Sequence, residues 1–593
     1  MTIEQSIVFA VLFLAFILFG TERVRYDVVA LLALLAVTAT GIVPGDQAFE
    51  GFGHPAVVTV AAVLVLSRGL QNSGVVDILA KGMLHVGNGP ALQVAALTGL
   101  VAGLSGFVNN VGALALLMPV ALWMARKGGN PPSILLMPLA FGSLLGGMTT
   151  LIGTPPNIVI AMFRSQTGAE PFRMFDFAPV GAGVALAGLL YISLLGWRLV
   201  PQRKGLASRE ELFHIQDYTT ELRVPEDSKI VGQPLRELET TSEADVAVVG
   251  VLRGAWRMPA PSPFEILRAG DVVIVEADSD ALKALVDAAD LELVGSKEPA
   301  EEILGSNEVE LVEVVVRPDS ALEGNTAWTF NLRSRYGVNL LGVARAGARL
   351  KERLRGIQFR AGDVLLLQGA TDALHQALPV LGCLPLAERD LRLGQPRRIP
   401  LAMGIFAAAV TAAATGWLPA PIAFVGAAII MILTGLISLR DAYRAIDWPI
   451  LVLLGALIPV AQALERSGGA ELIALNILQI SHWMPPEAIL VTVLVASMFL
   501  SDLVNNAAAA LLMAPIAISV AEGLGVSADP FLMSVAVGAS CAFLTPIGHQ
   551  SNTLVMGPGG YRFGDYWRMG LALEVVIVAA GIPLILWFWP LGL

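Results

Sequence analysis

Two apolar stretches carry residue types that an uninterrupted membrane helix avoids, in the same order and at nearly the same spacing. Residues 105–119 read SGFVNNVGALALLMP and residues 501–515 read SDLVNNAAAALLMAP, so each sets a Ser four residues before an Asn-Asn pair and a Pro ten residues after its first Asn. The pairs are Asn109-Asn110 and Asn505-Asn506. Farther along come Gly153-Thr-Pro-Pro-Asn157 and Gly548-His-Gln-Ser-Asn552, each a G-x-x-x-N break inside apolar sequence. Lipid cannot satisfy backbone groups freed at such breaks, so they are tolerated where they line a cavity. Helix N-termini exposed there attract anions through amides and dipoles, and free carbonyls coordinate sodium or similar cations. Asn side chains add both a donor and an acceptor. The chemistry is reversible binding. These segments hold no nucleophile-base pair and no metal-ligand cluster, so the chain does not read as an enzyme.

Each residue also has a plainer use. Asn joins membrane helices by hydrogen bonding, and Pro kinks them. What favours a binding site is the occurrence of four such sites in two matched pairs. Asp502 lies three residues before Asn505, where the first copy has Gly106. An intramembrane carboxylate is a cation or proton coupling group by default, and its competing role is to hydrogen-bond nearby backbone. His549 either titrates near neutral pH or serves as a neutral hydrogen-bonding group. Neither hairpin core nor either break contains Arg or Lys. An anion's charge would then be met by helix ends, amides and bound cations together, which favours sodium-coupled symport.

The elements that must position these residues are membrane helices. The chain has 593 residues, 55% hydrophobic and 15% charged, with mean hydropathy +0.69, too apolar for a soluble protein of this length. Membrane-length apolar runs recur at 5–20, 27–43, 178–197, 399–417, 419–437 and 571–590. The opening MTIEQ has no positive n-region and no cleavage site follows, so the first run reads as a retained helix. Two cysteines, Cys383 and Cys541, support neither a disulfide framework nor structural zinc. A net charge of −11 argues against nucleic acid.

Between the apolar parts, residues 205–390 turn charged and β-rich, and this insert is itself duplicated. Ser228, Gly232, Gly250, Arg253 and RAGDV at 268–272 recur at one period of 92 as Ser320, Gly324, Gly342, Arg345 and RAGDV at 360–364. Each copy predicts a small α+β module, with strands in DVVIVEA and DVLLLQG and helices from Asp280 and Asp372. RAGDV itself reads as a β-turn. No G-x-G-x-x-G supports a Rossmann dinucleotide site. The expected domains are a first membrane repeat at 1–204, modules at 205–297 and 298–390, and a second membrane repeat at 391–593.

Basic residues set the sidedness. In the first half the expected crossings are 5–20, 27–43, 55–71, 134–161 and 177–200, with a re-entrant hairpin at 92–124. This scheme puts Arg23, Arg25, Arg126, Lys127, Arg198, Arg203 and Lys204 inside and leaves Arg164 and Arg173 outside. The second half, entered after Arg397 and Arg398, runs in the opposite sense with Arg440, Arg444, Arg562 and Arg568 inside. An odd number of crossings makes the copies inverted repeats, the arrangement of alternating-access transporters. The fold class is thus an α-helical polytopic membrane protein of two inverted repeats with re-entrant hairpins and unwound helices, carrying two inserted cytoplasmic α+β modules. Both termini are expected outside, in a bacterial inner membrane.

On these motifs the chain resembles, over nearly its whole length, the divalent anion/sodium symporter family of dicarboxylate and sulfate transporters. More narrowly it is similar to the branch with tandem potassium-transport-type (RCK) C-terminal regulatory modules between the halves. The resemblance implies a homodimer of scaffold and transport domains moving as an elevator, with Ser-Asn-Thr at two hairpin tips and Thr-Pro-Pro-Asn in two unwound helices. Carried over, the tips fall on Asn109, Asn110 and Val111 and on Asn505, Asn506 and Ala507, with Thr154 and Gln550 completing the substrate set. Sodium or another coupling ion falls to Asn110, Gly153, Asn157, Asp502, Asn506, Gly548 and Asn552. The family hydroxyls are replaced by Asn and by Val or Ala, and the second Thr-Pro-Pro-Asn by His549-Gln-Ser-Asn552. Lost hydroxyls and gained amides favour a small tetrahedral oxyanion, sulfate first, over a dicarboxylate. The implied modules bind a small effector that the sequence does not name. Alternatives are dicarboxylate symport, proton-coupled oxyanion transport or exchange, and a module-gated channel. The channel is disfavoured by the absence of a TVGYG-like filter.

Overall fold

The computed structural model describes the chain apart from residues 22–23, 75–82, 84–85, 88, 204–218, 242–246, 255, 260, 263, 277–278, 295–308, 319, 328, 346–347, 351–353, 387–397, 481–483 and 593. The three expected domain boundaries, and Arg23, Lys204 and Arg397, therefore lie outside the described residues.

The first apolar part comprises α1 (Ile3–Thr21), α2 (Tyr26–Ala39), α3 (Pro55–Ser73), α4 (Pro90–Ser105), α5 (Asn110–Gly128), α6 (Ser133–Gly147), α7 (Pro155–Gln166) and α8 (Ala178–Leu199). Pro opens α3, α4 and α7 at the first turn, where its missing N–H is no loss. Left-handed Gly74 and Gly129 follow α3 and α5. The helices α4 and α5 make the hairpin expected at 92–124, turning through residues 106–109. The 134–161 crossing is made by two helices, α6 and α7, with residues 148–154 unwound between them. Pro155 pushes the residue before it out of helical backbone, and Thr154 is extended at φ −146° and ψ 143°.

The insert forms two five-stranded antiparallel sheets. The first module holds β1 (Thr219–Arg223), α9 (Leu235–Thr241), β2 (Ala247–Arg253), β3 (Trp256–Pro259), β4 (Val272–Glu276), α10 (Ser279–Ala289) and β5 (Glu292–Val294). The second holds β6 (Val309–Val316), α11 (Leu332–Tyr336), β7 (Val338–Arg345), β8 (Ala348–Arg349), β9 (Val364–Ala370), α12 (Thr371–Leu381) and β10 (Cys383–Pro385). Their strand orders, β3-β2-β4-β1-β5 and β8-β7-β9-β6-β10, are the same topology. In each RAGDV turn the Asp accepts from its own loop, Asp271 from Arg268 N at 2.9 Å and Asp363 from Arg360 N at 2.8 Å. The periodic arginines lock those turns: Arg253 grips Asp271 at 2.9 and 2.8 Å, and Arg345 grips Asp363 at 2.7 Å twice. Burial of Cys383 in the second module pushes its thiol up to about 12.

The second apolar part comprises α13 (Ile399–Ala414), α14 (Ala420–Leu433), α15 (Leu439–Ala445), α16 (Trp448–Arg466), α17 (Gly469–Ile480), α18 (Pro486–Leu503), α19 (Asn506–Leu524), α20 (Asp529–Ala539), α21 (Gln550–Gly559) and α22 (Trp567–Phe588). Among the described residues seven helices are long and apolar enough to cross a membrane: α3, α5, α8, α16, α18, α19 and α22. The copies cross-pack, with α19 against α7 and α5 against α21. Matched glycines, Gly181 in α8 and Gly570 in α22, let those helices lie on the carbonyls of Met148 and Phe543. Loop contacts join helix ends in two sets. Arg203 pairs with Asp565 at 3.0 Å, while Arg164 pairs with Asp529 at 2.7 Å.

Candidate functional site

The two hairpin tips have the same local construction. Asn109 caps α5 by accepting from Val111 N at 2.9 Å, and Asn505 caps α19 by accepting from Ala507 N at 2.9 Å. Capping uses the amide oxygen, so each side chain keeps its NH2 for other partners. The following residues, Asn110 and Asn506, are buried, and Asn110 Oδ1 and Asn506 Nδ2 have no protein hydrogen-bond partner. Ser501 Oγ lies 2.9 Å from Asn506 Oδ1 and 2.7 Å from Ala539 O, tying the second tip to the end of α20.

The two breaks are also built alike. Asn157 Nδ2 donates to Thr150 O at 2.8 Å and Met148 O at 3.4 Å, and Asn552 Nδ2 donates to Thr545 O at 3.0 Å and Ala542 O at 2.6 Å. These amides hold the unwound backbone that would otherwise be unsatisfied. A threonine three residues before each Gly completes the device. Thr150 Oγ1 donates to Gly106 O and accepts from Gly153 N at 3.1 Å, while Thr545 Oγ1 donates to Asp502 O at 2.7 Å and accepts from Gly548 N at 3.1 Å. The G-x-x-x-N spacing omits these threonines, whereas the longer pattern T-x-x-G-x-x-x-N occurs in both copies and includes them.

The breaks and tips meet. A cavity of about 60 Å³ is lined by Asn109, Asn110, Val111, Thr154, Asn505, Asn506, Ala507 and Gln550, the whole expected substrate set, together with Gly153 and His549. Val60, Val63, Leu64 and Ile450 supply apolar walls from α3 and α16. The N-termini of α5, α7, α19 and α21 all face this space, and each belongs to a helix of at least ten residues. No Lys, Arg, Asp or Glu lines it among the described residues. Of the expected ion ligands, Asn110, Gly153 and Asn506 line the cavity, whereas Asn157, Asp502 and Asn552 are buried behind it and Gly548 lines a second, larger space. His549 Nδ1 accepts from Ser551 N at 3.0 Å and so caps α21.

One further acid of this region is hidden in an apolar run. Glu574, inside the apolar run of α22, lies near Asp502, and Asp502 Oδ2 and Glu574 Oε1 are both buried without a protein hydrogen-bond partner. Asp502 Oδ1 accepts from Leu544 N at 2.9 Å.

Paired hairpins and paired broken helices around one small cavity, inside a bundle of membrane-length helices, are the architecture of a polytopic membrane transporter. The chain belongs to the citrate transporter (CitMHS) family, whose model matches residues 16–538 and again 477–592. An uncharacterized transporter of Synechocystis sp. is 30% identical over 580 residues, covering 96% of this chain and 95% of its own. The uncharacterized transporter YfbS of Escherichia coli is 31% identical over 620 residues, covering 98% and 99%. Sodium/sulfate cotransporter 2 of Chlamydomonas reinhardtii is 27% identical over 387 residues, 61% of this chain and 43% of that protein.

Proposed function

We propose that this transporter is a secondary active importer of a small divalent oxyanion, sulfate first, that works by elevator-type alternating access and is driven by sodium. The observation that carries the reading is the convergence of four helix N-termini on a cavity with no basic side chain among its described lining residues. Aligned backbone dipoles favour negative charge there, and backbone N–H donors come from α5, α19 and α21, since α7 opens with Pro155 and Pro156, which have none. A relative named as a sodium/sulfate cotransporter agrees in both substrate and ion. Opposite membrane senses for the copies are supported by the loop pairs: Arg203 and Asp565 join loops expected inside, and Arg164, expected outside, pairs across the other face with Asp529. In this reading the inserted sheets are cytoplasmic regulatory modules of the RCK C-terminal type, and the protein works as a homodimer.

The test is uptake of labelled sulfate into proteoliposomes with and without an inward sodium gradient, with excess unlabelled succinate or citrate, and with Asn109→Ala. Sodium-dependent uptake that ignores both carboxylates and collapses in the variant is expected. Competition by either carboxylate would reassign the substrate, and indifference to sodium would reassign the ion. Two neighbouring buried carboxyl groups, Asp502 and Glu574, favour one second reading, in which the pair exchanges a proton during the cycle. Uptake driven by a pH gradient without sodium would establish it.

A further inference from the structure

The two modules share a topology but not a position relative to the transport site. In the first, Gly270 sits at φ +85° in its turn, and a Cβ added there would meet nothing within 4 Å. In the second, Gly362 sits at φ +83° in the equivalent turn, and an added Cβ would lie 2.9 Å from Thr553 O and 4.0 Å from Met556 Cβ, both on α21. A Cβ on Gly557 of α21 would in turn strike the Gly362 carbonyl. Backbone therefore lies directly on backbone, an approach that only glycine on both sides permits. The contact extends into the sheet, because Val315, Leu341, Ala344, Val364, Leu366 and Leu386 of the second module belong to the same buried apolar core as the membrane helices.

What lies beside this contact gives it a use. A space of about 950 Å³ opens between the module and the second membrane copy, lined by Arg345, Arg360 and Asp363 on one side and by Asn505, His549 and Gln550 on the other. Asn505, His549 and Gln550 also line the small cavity, so this space is the antechamber of the site. The helix that the turn touches, α21, is the helix whose N-terminus faces the small cavity.

We propose that the Arg360–Asp363 turn is an interlock: seated on α21 it holds the transport part in the present conformation and walls its antechamber, and it must leave α21 before that part can move. The inference rests on the elevator reading above, with α21, whose N-terminus lines the small cavity, taken as part of the moving body. It assigns regulation to the second module's turn, while the matching turn of the first module has no part in it.

The geometry supplies a test. The 4.0 Å separation falls within the roughly 3.5–4.5 Å between Cβ atoms that a disulfide needs. Gly362→Cys with Met556→Cys in the full-length protein should cross-link on mild oxidation, while the native Cys383 and Cys541 are buried. Uptake of labelled sulfate, citrate and succinate is then measured before oxidation, after it, and after reduction. Whichever anion the reduced protein carries serves as the readout, so a wrong substrate shows in the reduced form and a wrong interlock in the oxidised-to-reduced comparison. The expected result is uptake lost on cross-linking and restored by reductant. Equal uptake in the cross-linked and reduced forms overturns the proposal. Gly557→Leu, which leaves the turn unstrained, should raise uptake per inserted molecule by up to roughly tenfold, as when a state of about 10% population is released. Unchanged or slower uptake would also overturn it. Gly270→Cys carries the same backbone strain without a contact and should leave uptake unchanged.

Discussion

The two membrane copies use the same scaffold and differ in what they hang on it. Both cap a hairpin helix with Asn, brace a break with Thr and Asn, and let a glycine meet the carbonyl before the break. The first copy then has Gly106 where the second has Asp502, and α8 has no acid where α22 brings Glu574 near Asp502. Its broken helix also begins with Thr154-Pro-Pro, against His549-Gln-Ser in the second. Shape is therefore carried by the duplicated amides and hydroxyls, and charge by one copy alone. A transporter built this way can keep a pseudo-symmetric substrate cradle while placing any proton-linked chemistry on one side of it.

The largest effect should come from breaking the shared scaffold. Asn552→Ala removes two bonds to unwound carbonyls, and Asn157→Ala removes the equivalent two. Each stranded buried group costs about 1–3 kcal/mol. Because the Asn552 bonds are 2.6 and 3.0 Å and those of Asn157 are 2.8 and 3.4 Å, the second copy should suffer more. Thermal unfolding in detergent of both variants measures this, and a greater loss for Asn157→Ala would reverse the ranking.

Much of this scaffold was legible in the sequence because Gly, Pro and Asn interrupt apolar runs visibly. The tips at Asn109 and Asn505 and the breaks at Gly153 and Gly548 stand where their spacing put them. Thr150 and Thr545 were overlooked since threonine is unremarkable in a membrane helix, where its hydroxyl ordinarily bonds its own preceding turn. Glu574 was lost to averaging, one acid in a long apolar run. The seating of Gly362 on Gly557 could not be read at all, because a glycine needed for close approach looks like a glycine needed for a turn.

A smaller effect should separate charge from shape. Glu574→Gln keeps a hydrogen-bonding group beside Asp502 and removes a titrating one. If the pair exchanges protons, sulfate uptake in Glu574→Gln persists but no longer responds to an imposed pH gradient. Ala185→Glu, a change in the first copy's α8, should not install such a response, because Gly106 offers no carboxyl beside the matching break. An unchanged pH response in Glu574→Gln would move the coupling entirely to sodium and leave the carboxyl pair a structural role.

The smallest effect concerns the tips. Both Asn caps have the same 2.9 Å bond, so Asn109→Asp and Asn505→Asp should keep both helices capped. Stability should change by less than the about 1 kcal/mol that loss of a cap costs. The substitution nevertheless trades an NH2 donor for a negative charge at the mouth of a cavity that has no cation among its described lining residues. Anion affinity should therefore fall in both variants although the fold persists. Measured as KM for sulfate at fixed sodium, equal increases would mean that the tips contribute symmetrically. A larger increase for Asn505→Asp would place the anion nearer the second tip, which also borders the antechamber.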